Sequence, residues 1–595
     1  MSGFHPTDEQ VAARDTFADG HSFVLQAGAG TGKTSTLKLL AETAPERRGL
    51  YVAFNRAIAQ EAQAKFPANV SVKTIHALAM HGTGFAFKDR LNKPTVPLYL
   101  AANRLGVFGD LKVSADRRIR PTTQTGLAMR TVRKFCASAD DTIKKRHVPY
   151  TPGLTASQQK AVAKLIVPLA KKVWADVSDP LADNFRFEHD HYLKVWALTH
   201  PTWQADFVLY DEAQDANPVV SAMVADQLAA GRQLVAVGDS AQGIYGWRGA
   251  VNAMESFDVD ITLPLSQSFR FGERIADEAN VWLELLGSGM RLTGRPDLDS
   301  RVVPTVPRPD AVLCRTNGAA VAELFAALDE DVKVGLVGGG NDLLAVARAA
   351  LDLKAGKTTE HEEFALFASW GEVREYADSG DDPHLAVLVK VIETHGPPAI
   401  ISAIQAAAHE QDAERTLSTL HKAKGREWGK VRLAGDFSMP GADEDGEMVL
   451  PSRDELMVSY VAVTRAKEIL GIGNLGWGRA WLGRPTLSTP SASPAPAAHT
   501  PSTTPPPAAA APTDALPRRP WTRKHDQALV SQYQAGTSLA LLITTFGRSE
   551  ADIVERLDAL LPTTEGTPAP FDDDGQPVQH RAKGTSSPRP TSTHR

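Results

Sequence analysis

Short apolar runs alternate with longer stretches of mixed polarity from the start of the chain to about residue 270. The runs at 23–26, 50–54, 207–210 and 234–237 are continuously apolar or nearly so, and 70–73 alternates apolar with polar. That is the pattern of strands buried on both faces, and the segments between them are long enough for helices. The alternation predicts an α/β fold: a parallel sheet covered by helices on both sides, spanning 1–270. Between about 78 and 200 the pattern turns polar and helical, which predicts a helical insertion. A second α/β region is predicted over 271–484, with strands at 311–314, 431–434 and 469–472 and a shorter insertion at about 340–412. Residues 485–518 are rich in Pro, Ala, Ser and Thr with almost no apolar bulk, so they read as a linker, disordered or partly polyproline-like. An island at 519–561 is spaced for three short helices, the size of a helix-turn-helix or Myb-like module. Residues 562–595 revert to polar, Pro-rich sequence expected to be disordered.

Composition narrows this picture. The 595 residues suffice for several domains. The formal net charge is −6, so a polyanionic partner must be held by local basic patches. The chain has two cysteines, Cys136 and Cys314. They cannot build a disulfide framework or a cysteine-rich metal site, which suits a reducing, cytoplasmic setting. The first residues lack the basic-then-apolar pattern of a signal peptide. No run of about eighteen apolar residues is present, so no membrane partner is expected.

The chemistry begins at 25–35, LQAGAGTGKTS. This is a glycine-rich turn between a predicted strand and a predicted helix. Gly28, Gly30, Thr31 and Gly32 cradle phosphates with backbone N–H groups, and the helix N-terminus adds partial positive charge. Lys33 reaches the β- and γ-phosphates of ATP and Thr34 ligates Mg2+. Ala27 stands where the usual pattern begins with glycine. The second constellation is FVLYDEAQD at 207–215, an apolar strand ending in adjacent acids. Asp211 is expected to hold Mg2+, and Glu212 to orient and deprotonate the attacking water. The stretch LVAVGDSAQGIYGWRGA at 234–250 is a strand followed by a polar, aromatic loop. There Gln242 can sense the γ-phosphate, while Tyr245 and Trp247 either stack on bases or serve as ordinary core aromatics.

Taken in order, these motifs resemble the superfamily 1A helicases of the UvrD/Rep type over about residues 4–475. The resemblance is greatest to the F-box DNA helicase branch, although no F-box pattern is present. It implies two RecA-like P-loop NTPase domains with ATP between them, and the following roles. Gln10, in TDEQ at 7–10, reads the adenine edge. Phe54 and Asn55 (YVAFNR, 51–56) and Thr74 and His76 (KTIH, 73–76) contact single-stranded DNA. Arg270 (LSQSFR, 265–270) and Arg465 (YVAVTRAK, 460–467) are arginine fingers on the triphosphate, with Arg248 as a further γ-phosphate contact. In LSTLHKAKGRE at 417–427, Thr419, His421 and Lys422 lie near DNA, and Gly425 and Glu427 near the nucleotide. The implied activity is DNA-stimulated ATP hydrolysis with 3′-to-5′ movement on single-stranded DNA and unwinding at single/double-strand junctions. The pathways implied are repair, recombination or replication, beside the nucleoid. About 145 residues separate Arg270 from Thr416, so the second accessory subdomain is expected to be reduced. That leaves open a second function: an ATP-driven remodeller that displaces proteins or recombinase filaments with little net unwinding.

Two features stand apart. In FEHDHYLK at 187–194, strand alternation would put His189 and His191 on one side, but no third metal ligand is placed by spacing. The stretch is expected to be structural or to contact DNA. In the C-terminal island, Trp521, Arg523, Lys524, Arg548 and Arg556 can form a basic face toward DNA phosphates, or the module can dock a protein.

Overall fold

The computed structural model describes residues 5–485 apart from 95, 114–117, 152–153, 247–248, 358, 360, 362, 365–366, 368, 379–382 and 444–445, then Leu487, a few positions between 526 and 542, and residues 550–560. Residues 1–493 form one compact unit and 494–595 a second.

The first unit holds two parallel six-stranded sheets. The first comprises β1 (Phe23–Ala27), β2 (Gly49–Ala53), β3 (Val70–Thr74), β4 (Phe207–Tyr210), β5 (Gln233–Gly238) and β6 (Ile261–Leu265), in the order β3-β2-β4-β5-β1-β6. Every residue of β2, β4 and β5 is buried, which is why these runs are apolar without alternation. Successive side chains point to opposite faces. Phe23, Leu25, Tyr51, Phe207 and Val235 enter a core with Phe17, Leu37 and Leu40 of the flanking helices. Val24, Leu50, Val208 and Leu234 enter a second core, shared with Phe135, Ile166 and Trp196 of the helices inserted between β3 and β4. The apolar pattern carries no hint of β6. Its residues alternate in exposure and include Pro264, tolerated because β6 is an edge strand paired only with β1.

The second sheet comprises β7 (Arg301–Val303), β8 (Ala311–Cys314), β9 (Val334–Leu336), β10 (Arg415–Thr419), β11 (Trp428–Leu433) and β12 (Ala466–Gly471), in the order β9-β10-β8-β11-β12-β7. One face packs on the helices Glu273–Leu285 and Arg453–Val463. The other shares a single core with the helices Asn317–Asp329, Asn341–Lys354, Trp370–Asp378, Pro383–His395 and Pro397–Gln405: Val312, Leu336 and Leu417 of the sheet meet Leu324, Val346, Val373 and Ile392. The two lobes meet along an apolar seam in which Ala29, Ala241 and Ile244 join Leu420, Met457 and Tyr460.

Among the described residues no single helix is long and apolar enough to cross a membrane. His189 and His191 begin a helix, His189–Ala197, rather than a strand, so residues two apart do not share a side. His191 Nδ1 instead accepts from the Glu188 backbone N–H at the helix start. No cluster of three or more potential metal ligands occurs among the described residues.

In the second unit the described residues include the helix Glu550–Leu560, whose Ile553 and Leu557 are buried with Leu529 and Leu542. Arg556 is held by Asp526 through two hydrogen bonds of 2.8 and 2.7 Å. It is therefore not the free phosphate-facing cation expected from sequence. Trp521, Arg523, Lys524, Arg548, the 562–595 stretch and, but for Pro485 and Leu487, the 485–518 linker lie outside the described residues.

Candidate nucleotide and strand site

The two sheets bring their sequence motifs to one cleft of about 650 Å3. Because all strands of the first sheet run the same way, their C-terminal ends share an edge, and the turns leaving that edge build the cleft. The turn after β1 contributes Gly30, Thr31, Gly32, Lys33 and Thr34. Gly30 and Gly32 have φ of 75° and 77°. That left-handed backbone suits glycine and aims successive N–H groups inward. A side chain at Gly30 would also collide with Arg270 Cβ, 2.6 Å from where its own Cβ would stand. The helix Lys33–Glu42 starts here, and the Lys33 ammonium lies 3.4 Å from the Gly28 carbonyl oxygen.

The turn after β4 holds the acids. Asp211 is buried behind the cleft wall and accepts a hydrogen bond from the Tyr51 hydroxyl. Burial, and then the charge of Glu212, push its carboxyl up to about 6. Glu212 lines the cleft with φ 52°, a conformation costing a non-glycine residue on the order of 1 kcal/mol. Burial alone would raise its carboxyl, but Lys33, Lys424, Gln214 and Arg465 outweigh that and hold it below the usual range. Asp215 is pushed up to about 6 by burial, against the pull of Lys424.

The second lobe brings cations. Arg465 is almost fully buried. It donates to Val461 O at 2.9 Å, Thr464 Oγ1 at 2.9 Å and Gln242 Oε1 at 3.4 Å. Burial and the neighbouring Arg270 bring its guanidinium down to about 9. Arg270 donates to Glu427 at 2.5 Å and to Thr464 O at 3.0 Å. Gly425 and Glu427 line the same wall.

Gln242 closes a chain across the lobes. Its amide donates to Asp239 at 2.6 Å and accepts from Arg465. Asp239 also accepts from the Tyr460 hydroxyl at 3.0 Å. Beyond Gln242, the Tyr245 ring lies parallel to the Phe54 ring at 6.4 Å, and its hydroxyl donates to His421 O at 2.9 Å. Phe54 is 46% exposed, which leaves a flat face in solvent. Tyr245 therefore bridges the nucleotide wall and an aromatic surface and is not a core residue. Trp247 and Arg248 lie outside the described residues.

Of the other expected residues, Asn55 stands at the cleft mouth and Gln10 beside the glycine turn, while Thr74, His76, Thr419 and Lys422 lie outside the cleft lining. Gln10 is buried with both ends of its amide engaged: Oε1 caps the Thr7 N–H at 3.1 Å and Nε2 donates to Thr36 Oγ1 at 2.9 Å. A capping box uses the glutamine that the resemblance assigns to adenine. Asn55 lines the cleft mouth and caps the helix Arg56–Gln63. Thr74 caps the helix Ile75–Gly82, and His76 lies 2.9 Å from Asp190. Thr419 and Lys422 border a separate small recess in the second lobe, where Lys422 pairs with Asp342 at 3.0 Å.

Sequence reasoning missed four participants: Tyr51, Asp215, Lys424 and Tyr460. The Lys424 ammonium crosses from the second lobe to the Asp215 carboxylate and the Gln242 carbonyl, 5.1 Å from the Tyr245 ring centre. Each of the four lies within one of the sequence motifs, but only tertiary contact distinguishes it from its neighbours.

Residues 7–260 match the family described as UvrD/REP helicase N-terminal domain. F-box DNA helicase 1 of Gallus gallus is 29% identical over 501 residues, covering 76% of this chain and 47% of that protein. F-box DNA helicase protein 1 of Schizosaccharomyces pombe (strain 972 / ATCC 24843) is 28% identical over 503 residues, covering 76% and 55%. ATP-dependent DNA helicase PcrA of Leuconostoc citreum is 27% identical over 292 residues, covering 43% and 36%. The chain spans about half the length of the F-box relatives it matches, 47% and 55%.

Proposed function

We propose that this chain, whose residues 7–260 match the UvrD/REP helicase N-terminal domain family, is an ATP-driven motor that moves on single-stranded DNA, 3′ to 5′, and opens duplex at junctions. Its setting is DNA repair, recombination or replication in the cytoplasm beside the nucleoid. The observation that carries this reading is the convergence of groups from both lobes on one cleft: Lys33, Thr34 and Glu212 from the first, Lys424 and Arg465 from the second, with Arg270 on the segment joining them. Phosphoryl transfer needs little covalent help from a protein. It needs cations and donors fixed where charge spreads over the transferred group.

The glycine turn and Lys33 hold the triphosphate. Thr34 and Asp211 are the oxygen donors that fit Mg2+, and Asp211, buried beside the Glu212 charge that raises its carboxyl, suits a cation. When bound, that ion neutralises phosphate charge. Glu212, held ionised, orients the attacking water and takes its proton. Arg270 and Arg465 stabilise the transferring group only while the lobes are together. Loss of the γ-phosphate removes that tie, and the lobes part. Tyr245 is bonded to the second lobe and stacked near Phe54 of the first, so lobe separation shifts the aromatic surface on which a base can rest. Repeated grip and release moves the strand.

One observation favours the second reading, a remodeller with little net unwinding. The helices inserted in the second lobe share its sheet's core and are not hinged away from it as a swivelling subdomain would be. Strand displacement on 3′- and 5′-tailed duplexes beside a translocation assay separates the two. Displacement from the 3′ tail alone supports the helicase. Movement without displacement supports the remodeller, and neither movement nor displacement overturns both.

A further inference from the structure

Tyr51 stands in the middle of β2 with none of its surface exposed. Alternation along the strand turns its ring into the core of Phe17, Leu37 and Leu40, where it packs on Phe66 with ring centres 4.7 Å apart. A phenylalanine would fill that space equally well. The hydroxyl is the part that packing does not explain, because a buried O–H is destabilising unless it meets an acceptor. The acceptor it meets is Oδ2 of Asp211.

The other oxygen of that carboxylate, Oδ1, accepts from the Glu212 backbone N–H at 2.9 Å. One donor on each oxygen fixes the carboxylate plane. The Asp211 backbone is tied to the same strand, since its N–H donates to Val52 O at 3.3 Å. The Thr34 side chain also interacts with the Tyr51 hydroxyl. Thr34 leaves β1 and Asp211 leaves β4, so the hydroxyl on β2 is where the two oxygen donors suited to Mg2+ meet. Tyr51 itself is not among the residues lining the cleft. It begins the segment 51–56, whose Phe54 and Asn55 stand at the cleft mouth, but its own hydroxyl is turned inward to the acid.

We propose that Tyr51 is a positioning residue for the divalent cation: its hydroxyl holds the Asp211 carboxylate, beside Thr34, in the orientation that serves the ion bound with the nucleotide. The inference rests on the ATP-driven reading above. A phenol is protonated at neutral pH and donates, and a bond from it to a carboxylate is charge-assisted. Such outer partners of metal ligands are worth about 10- to 100-fold in metal affinity.

The test measures equilibrium binding of a fluorescent, non-hydrolysable ATP analogue to the full chain, in EDTA and across a Mg2+ titration. The proteins are the unsubstituted chain, Tyr51→Phe, Asp211→Asn and the double variant. Tyr51→Phe keeps the ring and removes only the oxygen. Its binding in EDTA equals that of the unsubstituted chain, which shows fold and glycine turn intact, and its oligo(dT) affinity is unchanged. Its Mg2+ midpoint rises about 10- to 100-fold. Beside Asp211→Asn the same substitution shifts the midpoint no further, because its effect passes through that carboxylate. An unchanged midpoint in Tyr51→Phe overturns the proposal. So does an equal loss of binding with and without the ion, which would make Tyr51 a packing residue, and so does a shift that persists in full beside Asp211→Asn. If the unsubstituted chain binds no ATP analogue, with Mg2+ or without, the motor reading itself fails.

Discussion

Replacing Lys424 with Met tests how the lobes are held together. Lys424 and Asp215 are 8% and 1% exposed, on opposite lobes, and their charged groups touch. Asp215 Oδ2 also accepts from the Gln214 amide at 3.3 Å, and Oδ1 is buried without a hydrogen bond. Removing one member of such a pair strands a buried charge, at a cost of about 3–5 kcal/mol. A pair exposed on the surface would cost about 0–1 kcal/mol. In the double variant with Asp215→Asn the stranded charge is gone, so most of the loss returns. The Asp215 carboxyl is already raised to about 6 by burial, with Lys424 as its main counterweight. A carboxyl raised above its unfolded value favours the folded state when protonated, and its penalty grows as pH rises toward and through that value. Without Lys424 it rises further. The Lys424→Met penalty is therefore full near pH 8 and smaller near pH 5, where Asp215 is protonated. The assay is thermal melting of the four proteins of the cycle at both pH values. A Lys424→Met loss under about 1 kcal/mol, or a loss that the second substitution does not reduce, would refute the reasoning.

Three further outcomes follow from the same geometry. Lys33→Ala abolishes ATP hydrolysis; near-normal turnover in a steady-state phosphate-release assay would overturn the site assignment. Arg465→Ala lowers turnover on the order of a thousandfold with folding retained by circular dichroism, the scale expected when an arginine finger is removed, and a drop under tenfold would remove Arg465 from that role. Deleting residues 494–595, which form their own unit, leaves DNA-stimulated ATP hydrolysis intact; a folded truncation without it would place that segment in the motor.

The site's parts are visible in the sequence where local pattern alone creates them. The strands β4 and β8 are continuous apolar runs and β1 is one but for Gln26, and the turns that follow β1 and β4 carry their chemistry at fixed offsets. Other strands are hidden by composition. Arg415, Thr416, Ser418 and Thr419 make β10 look polar, although four of its five residues are buried beneath the second-lobe helices. β9 is three residues long with a central glycine. Gln10 packs beside the glycine turn, and its amide also closes a helix cap, a use that residue type alone does not reveal. The alternation at 187–194 misleads because helix capping by Glu188 and His191, not a strand register, fixes those residues. Lys424 is beyond the reach of sequence, since its partner Asp215 is 209 positions away and only the meeting of two lobes brings them together.

The central claim is that the interlobe cleft turns over ATP in step with a strand held at Phe54 and Tyr245. The most direct measurement is the steady-state ATP hydrolysis rate of the full chain with and without single-stranded DNA. The account predicts a low basal rate that rises severalfold with the strand, and loses that rise in a Phe54→Ala, Tyr245→Ala variant. A rate independent of the strand, or a rise that survives removal of both rings, would contradict it.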